Sequence, residues 1–139
     1  MRDADFLRAI LDTSMLYVDM MERSSASSKQ QKKRKANPLK FGFCKCDNCE
    51  NLKWIAHSNK RKRMILVSKK AFERELSNRA NRGMGFFILI YALMHAYLQI
   101  LHPYSNEKTI ESKANRYFKK AMQTVAKDGL NVVMNKVSA

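Results

Sequence analysis

The sequence predicts a mainly α protein, a compact helical domain with a central buried helix and a small Cys/His zinc-knuckle insertion. Three observations carry that expectation. Apolar residues recur at three- and four-residue steps over 4–22 and 106–127, the period of helices with one face on a core. Residues 84–102, MGFFILIYALMHAYLQILH, are apolar on nearly every face and stop at Pro103. All three cysteines fall within six positions, CKCDNC at 44–49, and His57 follows eight residues later. A length of 139 residues suits one domain, 1–139, able to bury roughly two-thirds of its unfolded surface. Its parts are an N-terminal amphipathic helix (4–22), a basic linker (24–38), a Cys/His module (39–67) and a helical core (68–139).

The first helix sets Leu7, Ile10, Leu11, Met15, Val18 and Met21 along one stripe, and Asp3 or Asp5 can cap its start. The stretch SSASSKQQKKRKANP, 24–38, holds no apolar residue larger than Ala and ends at Pro38, which drives Asn37 out of helical geometry. Short strands are expected on either side of the cysteines, Met64–Val67 the stronger of them. Ser68 stands at an N-cap position. A helix over 69–82 follows, anchored by Phe72 and Leu76, with Gly83 and Gly85 closing it. The 84–102 segment is either the buried centre of the fold or a membrane span, and His95 and Gln99 argue for the core because polar groups are costly in lipid. In the last helix Ile110, Ala114, Tyr117, Phe118, Ala121, Met122 and Val125 form the inner stripe, and Asp128-Gly129 ends it. The tail LNVVMNKV reads as a short helix or a strand.

Charge is the unusual quantity. Residues 1–28 carry a net of −2, residues 83–139 a net of +4, and residues 29–82 seventeen basic against four acidic side chains, a net of +13. So dense a charge repels itself unless a polyanion neutralises it; nucleic acid is the commonest such partner and an anionic membrane surface the next. The opening MRDADFLRAILD lacks the apolar run of a secretory signal, and three cysteines fit poorly with a disulfide scaffold. The expected compartment is reducing and intracellular, nucleus and/or cytoplasm, not secreted.

Cys46 and Cys49 have the two-residue spacing that turns two sulfurs toward one ion. Cys44 supplies a third sulfur and His57 a nitrogen, a Cys₃His set suited to Zn²⁺. Cys44 and Cys46 would face opposite ways on an extended strand, so the chain must bend between them. His95 or His102 could replace His57, and metal-free structural thiols are the alternative to any ion. His95 and His102 cannot share one ion of their own, lying about 10.5 Å apart along a helix axis; His95 reads as a hydrogen-bonded core residue and His102 as a helix C-terminal one. There is no HExxH, no glycine-rich phosphate loop and no supported Ser/His/Asp arrangement. A Cys49–His57 nucleophile pair competes with the metal reading, so the chain is read as no enzyme.

Basic clusters stand on both sides of the cysteines: Lys32, Lys33, Arg34 and Lys35 before them, and Lys60, Arg61, Lys62 and Arg63 after. With Lys53 and an exposed Trp54 they form the candidate nucleic-acid-binding set, cations on phosphates and the aromatic ring on a base. The competing reading puts at least two of Trp54, Phe41 and Phe43 in a mini-core around the zinc. The order of N-terminal helix, basic run KKRK at 32–35 and CKCDNC at 44–49 resembles, over the first 60 residues and in organisation, the small cysteine-rich nucleic-acid-binding proteins of some plant RNA viruses. That resemblance implies a viral regulatory role of the kind implicated in suppressing RNA silencing.

The expected function is therefore a zinc-stabilised basic nucleic-acid-binding protein, RNA favoured, with little sequence specificity. Alternatives are a viral matrix-like or membrane-surface protein using the same charge on anionic lipid, an integral membrane protein through 84–102, and an adaptor whose basic run is a nuclear localisation signal. Homo-oligomerisation is left open.

Overall fold

The computed structural model describes residues 3–22, 39–77 and 82–128. The cluster Lys32–Lys35, the Asp128-Gly129 stop beyond Asp128 and the tail lie outside the described residues.

Helix α1 runs Asp3–Glu22, with two acids in its first turn where the helix dipole favours them. Strand β1 is Lys40–Cys44, followed by a single helical turn, α2, at Asp47–Glu50. Strands β2 (Ala56–Asn59) and β3 (Met64–Ser68) come next, then helices α3 (Lys69–Ser77), α4 (Arg82–Leu101) and α5 (Glu107–Asp128). The architecture is mainly helical with one three-stranded sheet in the order β1-β3-β2. β1 lies parallel to β3, with Phe41 beside Ile65 and Phe43 beside Val67; β2 lies antiparallel to β3, with Ala56 beside Val67 and Ser58 beside Ile65.

Those pairings put Phe41, Phe43, Ala56, Ser58, Ile65 and Val67 on one sheet face, because strand side chains alternate with period two. The apolar ones pack with α1, α3, α4 and α5 in a single hydrophobic cluster. Ile65, Val67, Ile10, Ile90, Leu93 and Leu98 are wholly enclosed there; each is worth roughly 1.5–3 kcal/mol of apolar transfer. The Cys/His module is thus a wall of the common core and not an insertion beside it. Phe41 and Phe43 serve that core, Phe43 meeting Phe72 edge-on at 5.1 Å, so no mini-core forms around the cysteines.

Ser68 caps α3 as its position suggests: its hydroxyl accepts from the Ala71 N–H at 3.1 Å. The glycines do not close that helix. Both lie inside α4, which starts at Arg82. A Cβ on Gly85 would come within 2.2 Å of the Glu75 carbonyl oxygen, so the residue is small because α3 and α4 touch backbone to backbone there. Helix α5 starts where Asn106 Oδ1 accepts from the Thr109 N–H at 2.8 Å. Of the expected stripe it buries Ile110, Ala114, Tyr117 and Ala121; Phe118 and Met122 are half-buried, and the Val125 side chain lies outside the described residues.

Helix α4 packs against α1, α3, α5 and β2. Its apolar residues are not enclosed on every side: Phe87, Ile88, Tyr91 and Ala92 stay half-buried along a groove. Among the described residues no helix is long and apolar enough to cross a membrane.

Candidate metal centre

Cys44 ends β1 and His57 lies in β2, both on the sheet face opposite the core, where they reach toward each other across β3. His57 Nε2 stands 3.3 Å from Cys44 Sγ. After Cys44 the chain bends at Cys46, the residue before α2, whose own backbone is extended with φ −65° and ψ 166°. That bend answers the objection that neighbouring alternate cysteines face opposite ways. Cys49 follows one turn later inside α2, fully buried.

The loop is closed by a Schellman arrangement: Lys53 N–H donates to the Asn48 carbonyl at 2.9 Å and Leu52 N–H to the Cys49 carbonyl at 3.2 Å. Leu52 takes the left-handed position, φ 61°, where glycine is usual. The Cys49 carbonyl also accepts the Ser68 hydroxyl at 2.9 Å, so one serine ties the knuckle to the start of α3.

The Sγ atoms of Cys44, Cys46 and Cys49 and a ring nitrogen of His57 all lie within 4.8 Å of one another, a group that could hold a metal ion. The cysteines form no disulfide. The Cys49 backbone N–H and then the Cys44 side chain hydrogen-bond the Cys46 sulfur and lower its pKa. Burial, followed by the two neighbouring sulfurs, pushes the Cys49 thiol up to about 12. Burial lowers the His57 pKa and favours the neutral ring, the ligating form.

The other two histidines are engaged elsewhere. His95 Nε2 is 3.2 Å from Glu107 Oε1, and His102 Nε2 is 2.6 Å from Oε1 of the buried Glu22. Neither returns to the cysteines; His57 does.

The basic residues are placed differently from their order in the chain. Lys60, Arg61 and Lys62 are exposed in the turn between β2 and β3, which Asn59 Oδ1 shapes by accepting from the Lys62 N–H at 3.1 Å. Arg63 is half-buried with φ 49°, and its carbonyl accepts from Lys40 N–H at 2.9 Å. This turn is at the Met64 end of β3 and the cysteines at the Ser68 end, one strand length of about 13 Å apart. Lys45, Lys53 and Trp54 are exposed near the cysteines, the Trp54 ring 5.0 Å from that of His57. Lys40, four residues before Cys44 in the chain, sits at the basic end.

Sequence reasoning missed a groove of about 700 Å³ between the Lys53–Ala56 segment, α4 and α5. Its lining on the helices, Tyr91 and His95 on α4 and Glu111, Asn115 and Phe118 on α5, recurs at three- and four-residue steps. That second strip on each helix was the available signal, hidden because core stripes have the same period. Comparison with family models, curated proteins and solved structures finds no match to this chain.

Proposed function

We propose that the chain is a zinc-stabilised basic nucleic-acid-binding protein that grips RNA through its phosphates. The observation that carries this reading is a Cys₃His donor set on the same sheet as an exposed basic turn. Three thiolates and an imidazole are a donor set of structural zinc, whose tetrahedron has edges of about 3.6–3.8 Å given Zn–S near 2.3 Å and Zn–N near 2.0–2.1 Å. A spread of 4.8 Å closes to that size by side-chain rotation of about 1 Å. The bound set carries one negative charge, and exposed Lys45 and Lys53 stand beside it. Lys60, Arg61 and Lys62 present their charges to solvent, where cations bind phosphates by releasing counter-ions.

Elemental analysis of the purified chain is expected to give about one zinc per molecule, and mobility shift of single-stranded RNA is expected to weaken steeply with salt. Replacing Lys60, Arg61, Lys62 and Arg63 together by Ala should reduce the log–log salt slope by up to about 3, at about 0.7 per phosphate contact on a single strand. A metal-free protein of equal stability, or retention by anionic vesicles but not by RNA at the same salt, would overturn the reading.

A further inference from the structure

The groove beside the metal centre has a chemistry of its own. Trp54, 44% exposed, stands at one side; Tyr91 and Phe118 meet edge-to-face at 5.3 Å on another. Glu111 and Asn115 are one helical turn apart and so share a face of α5. The Tyr91 hydroxyl donates to Asn115 Oδ1 at 2.6 Å, which leaves the amide Nδ2 hydrogens to offer elsewhere. Loss of water and then the Glu111 carboxylate raise the Tyr91 pKa, and both residues line the groove. Aromatic rings, the Glu111 carboxylate, the Asn115 amide and His95 therefore line one space. The Glu111 carboxylate disfavours a phosphate inside it, whereas Lys53 at its edge is exposed to receive one.

We propose that this groove takes one unstacked nucleobase, guanine by preference, from a single strand whose phosphates run past Lys53 and the Lys60–Arg63 turn. The proposal rests on the nucleic-acid reading above and adds one position of base selectivity to it. Stacking between aromatic side chains accepts any base, and edge hydrogen bonds then choose among them. Guanine offers N1–H and N2–H₂ side by side, which a carboxylate accepts as a pair, and next to them the O6 acceptor suited to the Asn115 amide. Adenine puts an acceptor where guanine has its N1–H, and uracil has one donor between two acceptors.

The groove and the turn lie at opposite ends of β2. Strand β2 lies along α4, with Ser58 Oγ donating to Gln99 Oε1 at 2.8 Å and Lys60 Nζ to the Pro103 carbonyl at 3.3 Å. From Tyr91 to the end of α4 at Leu101 is about 15 Å at the helical rise. A strand crossing the basic turn thus has the groove within a few nucleotides.

Trp54 is the sole tryptophan, so its fluorescence reads the site directly. The zinc-loaded full chain would be titrated with uridine nonamers carrying guanosine, adenosine, uridine or an abasic residue at the centre, all at one salt concentration. The guanosine nonamer is expected to quench Trp54 and to bind at least ten-fold more tightly than the abasic one, with adenosine and uridine between. Glu111→Gln, a change to an exposed side chain, should bring guanosine down to the adenosine level and leave the salt slope unchanged. Equal affinity for guanosine and abasic nonamers would overturn the base site while backbone binding stands. Failure of every nonamer to bind at low salt would overturn both.

Discussion

Ser68→Ala is the substitution on which the coupling between knuckle and helices can be measured. Ser68 is fully buried and its hydroxyl makes two bonds, accepting from the Ala71 N–H at 3.1 Å and donating to the Cys49 carbonyl at 2.9 Å. Without the oxygen, Ala71, itself buried, keeps an amide in the first turn of α3 with no capping partner; such a loss costs about 1–2 kcal/mol. The Cys49 carbonyl keeps its bond from Leu52, so its share is one net hydrogen bond, about 1 kcal/mol. The total is about 2–3 kcal/mol, a fall in Tm of roughly 6–15 °C for a chain of this length. Ser14→Ala is the control. Ser14 is equally buried, but its hydroxyl donates to the Ile10 carbonyl inside α1. Removing it strands no N–H group, and Ala is the better helix former by about 0.5 kcal/mol, so the expected change is near zero or stabilising. Urea unfolding of both variants, followed by circular dichroism at fixed metal, makes the comparison. If Ser68→Ala costs no more than Ser14→Ala, the tie between knuckle and α3 carries no weight and the reasoning fails.

Gly85→Ala should lower stability by about 1–3 kcal/mol despite the roughly 1 kcal/mol that Ala gains over Gly in a helix, because the new methyl meets a backbone carbonyl and not a flexible side chain. An unchanged or raised Tm would show that α3 and α4 part freely. Alkaline titration tests the two phenols whose pKa values are raised above the ordinary 10.0, Tyr91 by burial and then by Glu111, Tyr117 by burial and then by Glu22. Their contribution to stability is whole below the unfolded value near 10 and is lost as pH rises through the higher folded values. Phenolate absorbance should therefore show a late-titrating component that Tyr91→Phe and Tyr117→Phe each reduce; no change in it on either substitution would contradict the packing.

The helices and the Cys/His cluster were legible because their signals are local. The α5 stripe Ile110, Ala114, Tyr117 and Ala121 and the Ser68 cap are read from spacings of three and four residues, and Cys46 and Cys49 from a spacing of three. The sheet was not, because its order depends on the parallel pairing of Lys40–Cys44 with Met64–Ser68, which no local pattern encodes. Missing that pairing misplaced the charges. Lys40 and Lys60 look like neighbours of the cysteines along the chain, and the sheet carries them to its far end. Gly85 misled for a related reason: a glycine read as a helix stop was needed for contact with Glu75, ten residues back.

Why should a chain with a core of its own carry a Cys₃His cluster at the edge of its sheet? From Lys45 to Trp54 the loop buries one side chain, Cys49, and holds Leu52 in left-handed geometry at a cost of about 1–2 kcal/mol. So little burial cannot fix ten residues against their conformational entropy of roughly 1–2 kcal/mol each. A cation shared by Cys46 and Cys49 of the loop with Cys44 and His57 of the sheet would supply the missing constraint. The core residues Ile65, Val67 and Leu93 owe it nothing. Chelation should then act on the loop before the fold. Trp54, which rests on the His57 ring, should change its emission at chelator concentrations that leave the helical dichroism intact, and Lys53 and the groove edge should loosen with it. Simultaneous loss of both signals would mean that the ion holds the whole domain together, and the division of labour between metal and core would have to be abandoned.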